Sequence, residues 1–249
     1  MGSPVRFPYG VTNVAKTNPL GSFIAPDPTA WHVFFDDFDQ WVTDTSSAAK
    51  YTITTTEAGA GSATEALADA KNGVLVLTTD NADNDLDFLQ KIGETFLPES
   101  GKQTIFKARF KCDAATEVEW YMGLMVTDTD PLSSTAGGGV TDGIFFMKED
   151  GSTSVNFYVQ KNATTGQLTT TGVATAAADT WVTLAFAFDG KRYVGVYVDD
   201  VLVKTVDLTT TLSTYLPDTE LTVSFGLKNG EAAATKALSV DYIFCAEER

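Results

Sequence analysis

The stretch Trp181–Val206, WVTLAFAFDGKRYVGVYVDDVLVKTV, decides how the chain folds. It reads as three consecutive antiparallel strands, Trp181–Phe188, Tyr193–Val198 and Val201–Val206, punctuated by Asp189-Gly190 and Asp199-Asp200. Asp-Gly has the composition of a tight hairpin turn, because glycine accepts the positive φ such turns need. Side chains alternate across a strand, so Val182, Leu184, Phe186 and Phe188 share one wholly apolar face. A sheet with such a face must bury it against another layer, and the meander therefore calls for a partner sheet.

Outward from this stretch, the same pattern recurs. Tyr51–Thr56, Val74–Thr79, Gln103–Lys111, Leu221–Lys228 and Ala237–Cys245 read as strands. Glu117–Thr127 alternates Val118, Trp120, Met122, Leu124 and Val126 against a half-polar face. Ile144–Lys148 and Ser154–Gln160 flank Asp150-Gly151 as a hairpin. The low-bulk segment Ala58–Gly73 reads as a long loop with room for one helical turn, and Asp80–Asp87 as an acidic turn. About a dozen strands at this spacing, with no amphipathic helix, predict an all-β jelly-roll sandwich over residues 31–249.

Residues 1–30 differ from the rest. They hold five of the eight prolines and read as an extended arm with no ladder partner of its own. Arg6 and Lys16 against Asp27 give the arm +1, so the body carries −17 within the net −16 of the chain. Arg6, Phe7, Tyr9, Val11, Val14, Leu20, Phe23 and Ile24 are its candidate partner-binding residues.

Net charge and composition exclude several classes. A chain with 33 acidic and 17 basic residues lacks the clustered Lys and Arg that nucleic acid or an anionic membrane needs. No apolar run approaches the ~18 residues of a membrane span. The opening MGSPVRFPYG has no signal-peptide pattern, so synthesis in a cytoplasm is expected. Cys112 and Cys245 are too few for a disulfide scaffold and read most simply as buried thiols, with a single bridge between them left open.

Candidate chemistry is sparse. The only histidine, His32, sits beside Trp31 and Phe34 and reads as a packed residue, so a Ser-His-Asp triad or His-rich zinc site is not expected. Glu117-Val118-Glu119 places two carboxylates on one strand face, in the manner glycoside hydrolysis uses. Solvated glutamates are the plainer reading. Asp83, Asp85 and Asp87 concentrate oxygen ligands that suit a structural calcium, the one cofactor to which the residues point. Tyr121, Tyr158 and Tyr197 are candidates for stacking on carbohydrate.

DTWVTLAFAFDGKRYVGVYVDDVLV and the ending ALSVDYIFCAEE resemble the concanavalin A-like lectin/glucanase superfamily. That resemblance implies a jelly roll, and it adds Asp36 or Asp37 with Asp241 as a second calcium pair between first and last strands. Glycosidases of that superfamily carry Glu-x-Asp-x-Glu or Glu-x-Asp-x-x-Glu on one strand, and no Glu-x-Asp occurs in this chain. The arm, RFPYGVTNV with DPT and FFDDF downstream, is similar to the openings of virion structural proteins of tailed phages of marine bacteria. The resemblance implies a non-enzymatic capsid decoration or other virion protein anchored through its arm. Its expected partners are a major capsid protein or other virion protein, and further copies of itself, with a trimer among the candidate forms. The alternative is a carbohydrate-binding module that recognises a host surface glycan.

Overall fold

The computed structural model describes residues 28–249 except 59–60, 133–138, 163–165 and 209–211, so most of the arm lies outside the described residues. Fifteen strands are described: β1 (Trp31–Asp36), β2 (Tyr51–Thr56), β3 (Thr64–Leu67), β4 (Leu75–Thr78), β5 (Leu86–Lys91), β6 (Thr104–Cys112), β7 (Val118–Met125), β8 (Gly143–Lys148), β9 (Ser154–Lys161), β10 (Gly166–Thr175), β11 (Val182–Phe188), β12 (Tyr193–Val198), β13 (Val201–Asp207), β14 (Thr222–Asn229) and β15 (Ala237–Glu248), with one short helix, α1 (Leu212–Tyr215). They form two antiparallel sheets, a jelly-roll sandwich. One runs β13-β12-β11-β6-β15-β4-β3, with β1 also paired to β15; the other runs β10-β9-β8-β7-β14-β5-β2. No helix among the described residues is long and apolar enough to cross a membrane.

The meander β11-β12-β13 forms one end of the first sheet. Leu184, Phe186 and Phe188 enter the core between the sheets, where the alternation placed them. Asp189 fixes the first turn by accepting the amides of Lys191, Arg192 and Tyr193 at 2.7–2.9 Å, with Gly190 at φ 73°. The second turn is made by Asp199 and Asp200 themselves, at φ 48° and 65°, the left-handed pair a two-residue hairpin needs. Phe106 and Phe110 on neighbouring β6, and Trp120, Phe146, Phe157 and Phe225 on the facing sheet, join the same core.

Three elements differ from the sequence reading. Within Ala58–Gly73 lies β3, a sheet-end strand whose only ladder partner is β4; with one neighbour and mostly exposed side chains, it needs no bulky residues. The acidic turn is shorter than expected, because β5 begins at Leu86 and takes in Asp87; five of its six residues are buried, so no alternation marks it. The Thr-rich β10 carries a bulge between Thr170 and Ala174 that breaks its period. Cys112 and Cys245 are buried, separate thiols.

Candidate functional site

β7 and β8 turn alternate side chains to the core and to the outer face of the seven-stranded sheet. Here that face carries a second apolar cluster, which includes Phe88, Tyr121, Met125, Phe145, Met147 and Tyr158, with Leu132 and Val140 of the β7–β8 connection against it. The rings form a continuous series. Phe88 and Tyr121 meet edge to face at 5.6 Å, Tyr121 and Phe145 stack at 4.5 Å, and Phe145 and Tyr158 stack at 5.0 Å. Glycine makes room for it: a Cβ on Gly123 would stand 2.6 Å from Phe145 Cα, and one on Gly226 2.6 Å from Phe88 Cα.

Tyr121 and Tyr158 are therefore not sugar platforms. Both are buried, and the Tyr121 hydroxyl donates to Leu124 O at 3.0 Å. Tyr197 lies partly buried on the other sheet, so the three tyrosines share no face.

The two glutamates part company as well. Glu117 precedes β7 and is exposed, and the Thr116 hydroxyl holds its carboxyl below the usual range. Glu119 is buried, and burial raises its pKa, although Lys228 at 2.8 Å partly offsets this. Lys228 is held in place by Leu132 O at 2.6 Å. One Glu119 oxygen, Oε1, is buried with no hydrogen-bond partner. The carboxylates that act electrostatically on Glu119 are Glu149 and Asp150; Glu149 also accepts from the Tyr158 hydroxyl at 3.5 Å. Burial and the neighbouring carboxylates thus push the Glu119 pKa up while the Lys228 ion pair pulls it down, opposed influences of the kind that tune a carboxyl for proton transfer.

The calcium candidates do not converge. Asp36 accepts from Lys50 and Tyr51, both at 3.1 Å, while Asp241 is paired with Arg109. Asp83 is exposed, and Asp85 accepts the amides of Ala58 at 2.6 Å and Ala82 at 3.0 Å. Asp87 points between the sheets, where its carboxyl meets that of Glu65 and no N–H or hydroxyl donor reaches either oxygen. Among the described residues no group of three or more His, Cys, Asp or Glu side chains could hold a metal ion.

His32 packs on Phe96, ring centroids 4.8 Å apart, and bonds Thr95 Oγ1 at 3.0 Å; burial lowers its pKa. Sequence reasoning passed over a cavity of about 210 Å³ at one end of the sandwich, whose lining includes Trp120, Val155, Trp181, Leu184, Val198 and Asp199. Arg109 stands over the Trp181 ring at 4.5 Å. The signal was present in Asp179-Thr180-Trp181, an aromatic at a strand start beside a turn, but the opposing wall comes from distant strands.

No protein-family profile matches the chain. No curated protein sequence matches it either. Solved structures do. An endo-1,3-beta-glucanase from Streptomyces sioyaensis is similar with a TM-score of 0.61 and 16% identity, over 89% of this chain and 98% of that one. An endo-1,3-beta-glucanase (laminarinase) catalytic domain from Thermotoga petrophila gives 0.57 and 12%, over 88% and 98%. A protein of unknown function from Shewanella oneidensis gives 0.58 and 15%, over 88% and 87%. These likenesses correct the non-enzymatic expectation. That expectation rested on the missing Glu-x-Asp spacing and on the arm's resemblance to virion proteins, whereas the scaffold is one on which endo-glucanases are built, so hydrolysis becomes a matter for assay. At this identity the likeness establishes architecture: the sandwich has the concanavalin A-like jelly-roll fold of those glucanases.

Proposed function

We propose that this chain is a structural component of a tailed-phage particle, a capsid decoration protein whose sandwich is the displayed body and whose arm, residues 1–30, attaches it to the major capsid protein. The observation that carries the reading is how the arm is rooted. Both sheets are assembled from Trp31 onward, and Arg249 grips the arm's last residues through Nε to Pro28 O at 3.0 Å and its amide to Ala30 O at 2.9 Å. The body thus presents the arm from a fixed point beside its final strand. An arm burying ~1000 Å² reaches the size of a specific interface. Tethering raises the effective concentration of every further contact.

The test is binding of purified chain to particles stripped of it. Full-length protein is expected to rebind, and a chain lacking residues 2–28 to stay folded and unbound. Equal rebinding by both would overturn the arm's role. The same preparations are assayed on β-glucans, and turnover lost in Glu119→Gln would replace this reading with an enzymatic one.

A second reading, recognition of a host surface glycan, is favoured by the Trp181 cavity, since an aromatic at a cavity mouth beside the Asp199 carboxylate suits a sugar ring. Saturable polysaccharide binding lost in Trp181→Ala would support it.

A further inference from the structure

The cavity beside Trp181 is walled and rimmed by different kinds of residue. Phe110, Cys112, Trp120, Val155 and Leu184, from β6, β7, β9 and β11, line it and are buried core residues. Apart from the Cys112 sulfur and the Trp120 indole nitrogen, their side chains are hydrocarbon. Thr175, Ala177, Thr180 and Asp199 line it too and are exposed. The space therefore runs from the core to solvent around the end of β10, the β10–β11 connection and the β12–β13 turn. At about 210 Å³ it exceeds the ~150 Å³ that holds benzene in an apolar protein cavity.

Two features keep this space from closing. Alanine stands where larger side chains would fill it, at Ala114, Ala174 and Ala176. The β10–β11 connection is also fixed as a strut between the sheets. The Ala176 amide donates to Thr153 O at 2.8 Å, just before β9 of the seven-stranded sheet, and the Asp179 amide donates to Cys112 O at 2.7 Å, at the end of β6 of the other. Unfilled walls forgo the contacts a close-packed interior makes, so an occupant of matching shape stabilises them. The polar groups of the rim are already committed. Lys111 Nζ pairs with Asp179 at 3.2 Å, the Thr180 hydroxyl donates to Ala178 O at 3.0 Å, and Asp199 Oδ1 accepts the Thr183 amide at 2.9 Å. A charged ligand would leave water with no counter-charge held ready for it, and beyond the mouth the hydroxyls of a sugar would go unpaired.

We propose that the cavity binds a small uncharged apolar molecule, about one aromatic ring in size, held by shape and burial in a preformed space. Glycan recognition uses the mouth and this inference the depth, so neither depends on the other, and the attachment reading depends on neither.

Toluene is the probe, titrated into the full-length chain. The methyl signals of Val155, Val182, Leu184 and Val198, all at the cavity, are expected to shift saturably in carbon–proton NMR spectra. Those of Ile53 on β2, at the far edge of the seven-stranded sheet, are expected to stay in place. The melting temperature should rise with toluene concentration as occupancy of one site requires. Benzoate and glucose at equal concentration are expected to reach at most about a tenth of toluene's occupancy. Ala176→Leu and, separately, Ala114→Val fill the space from different elements. Each is expected to weaken toluene binding about tenfold or more, with the β circular-dichroism spectrum of the wild type. The absence of saturable shifts at the cavity methyls overturns the proposal, as does toluene binding that is unchanged in both filled variants, or benzoate binding as tightly as toluene. Polysaccharide binding and its loss in Trp181→Ala are read separately, and that outcome stands whichever way the toluene titration falls.

Discussion

Asp87 is a carboxyl that water would solvate far better than its surroundings do. It is fully buried, and burial, then the Glu65 carboxylate, then Glu57, push its pKa from 3.8 up to about 9. A carboxyl whose folded-state pKa is raised binds its proton more tightly in the folded protein. Its contribution to stability is complete below the unfolded pKa, near 4, and is lost as pH rises toward 9. Asp87→Asn removes the charge while keeping the shape. It is expected to stabilise the protein at pH 8 by roughly 1–3 kcal/mol and to have little effect near pH 4. Thermal unfolding of both proteins across that range checks this; parallel curves would mean that Asp87 is neutralised by something else. Lys228→Met would leave Glu119 buried without its partner, and a loss of roughly 3–5 kcal/mol is expected in denaturant unfolding. Lys228→Met with Glu119→Leu should recover most of it.

At the scale of the element, two strands show opposite constraints. In β7 a Cβ at Gly123 would lie 2.6 Å from Ile144 O and from Phe145 Cα, and backbone atoms cannot step aside. Gly123→Ala is therefore expected to cost roughly 1–3 kcal/mol and to loosen the ring stack, seen as a lower melting temperature and weaker near-ultraviolet dichroism. β13 is the open end of its sheet, with Val201, Leu202 and Val203 63%, 52% and 39% exposed. Lys204 interrupts that apolar run, and the register shift at Val196/Tyr197 on β12 kinks the ladder, both devices that discourage edge-to-edge pairing. Lys204→Val is expected to leave melting within about 1 kcal/mol of wild type while promoting association, measurable by light scattering over a concentration series.

For the whole molecule, the sandwich and the arm are expected to be separable. Removing residues 2–27 takes away none of the described core, so cooperative unfolding should persist with a similar midpoint, read by calorimetry. A non-cooperative transition would mean that the arm is part of the fold. The sequence by itself determined the architecture. Alternating apolar positions such as Leu184, Phe186 and Phe188, closed by turn residues at Asp189-Gly190 and Asp199-Asp200, are local signals, and two-residue periodicity leaves one way to bury such strands. It also set the arm apart, because proline density is a property of the chain alone. Tertiary structure decided everything that depends on which strands become neighbours. Only the pairing of β5, β14, β7, β8 and β9 gathers Phe88, Tyr121, Phe145 and Tyr158 into a buried stack, turning surface candidates into core. Only the two-sheet arrangement brings Asp87 to Glu65, and only the pairing of strands within each sheet sets Asp241 beside Arg109 and Glu119 beside Lys228. Burial and charge pairing are sums over residues distant in sequence, and spacing along a single strand carries no information about them.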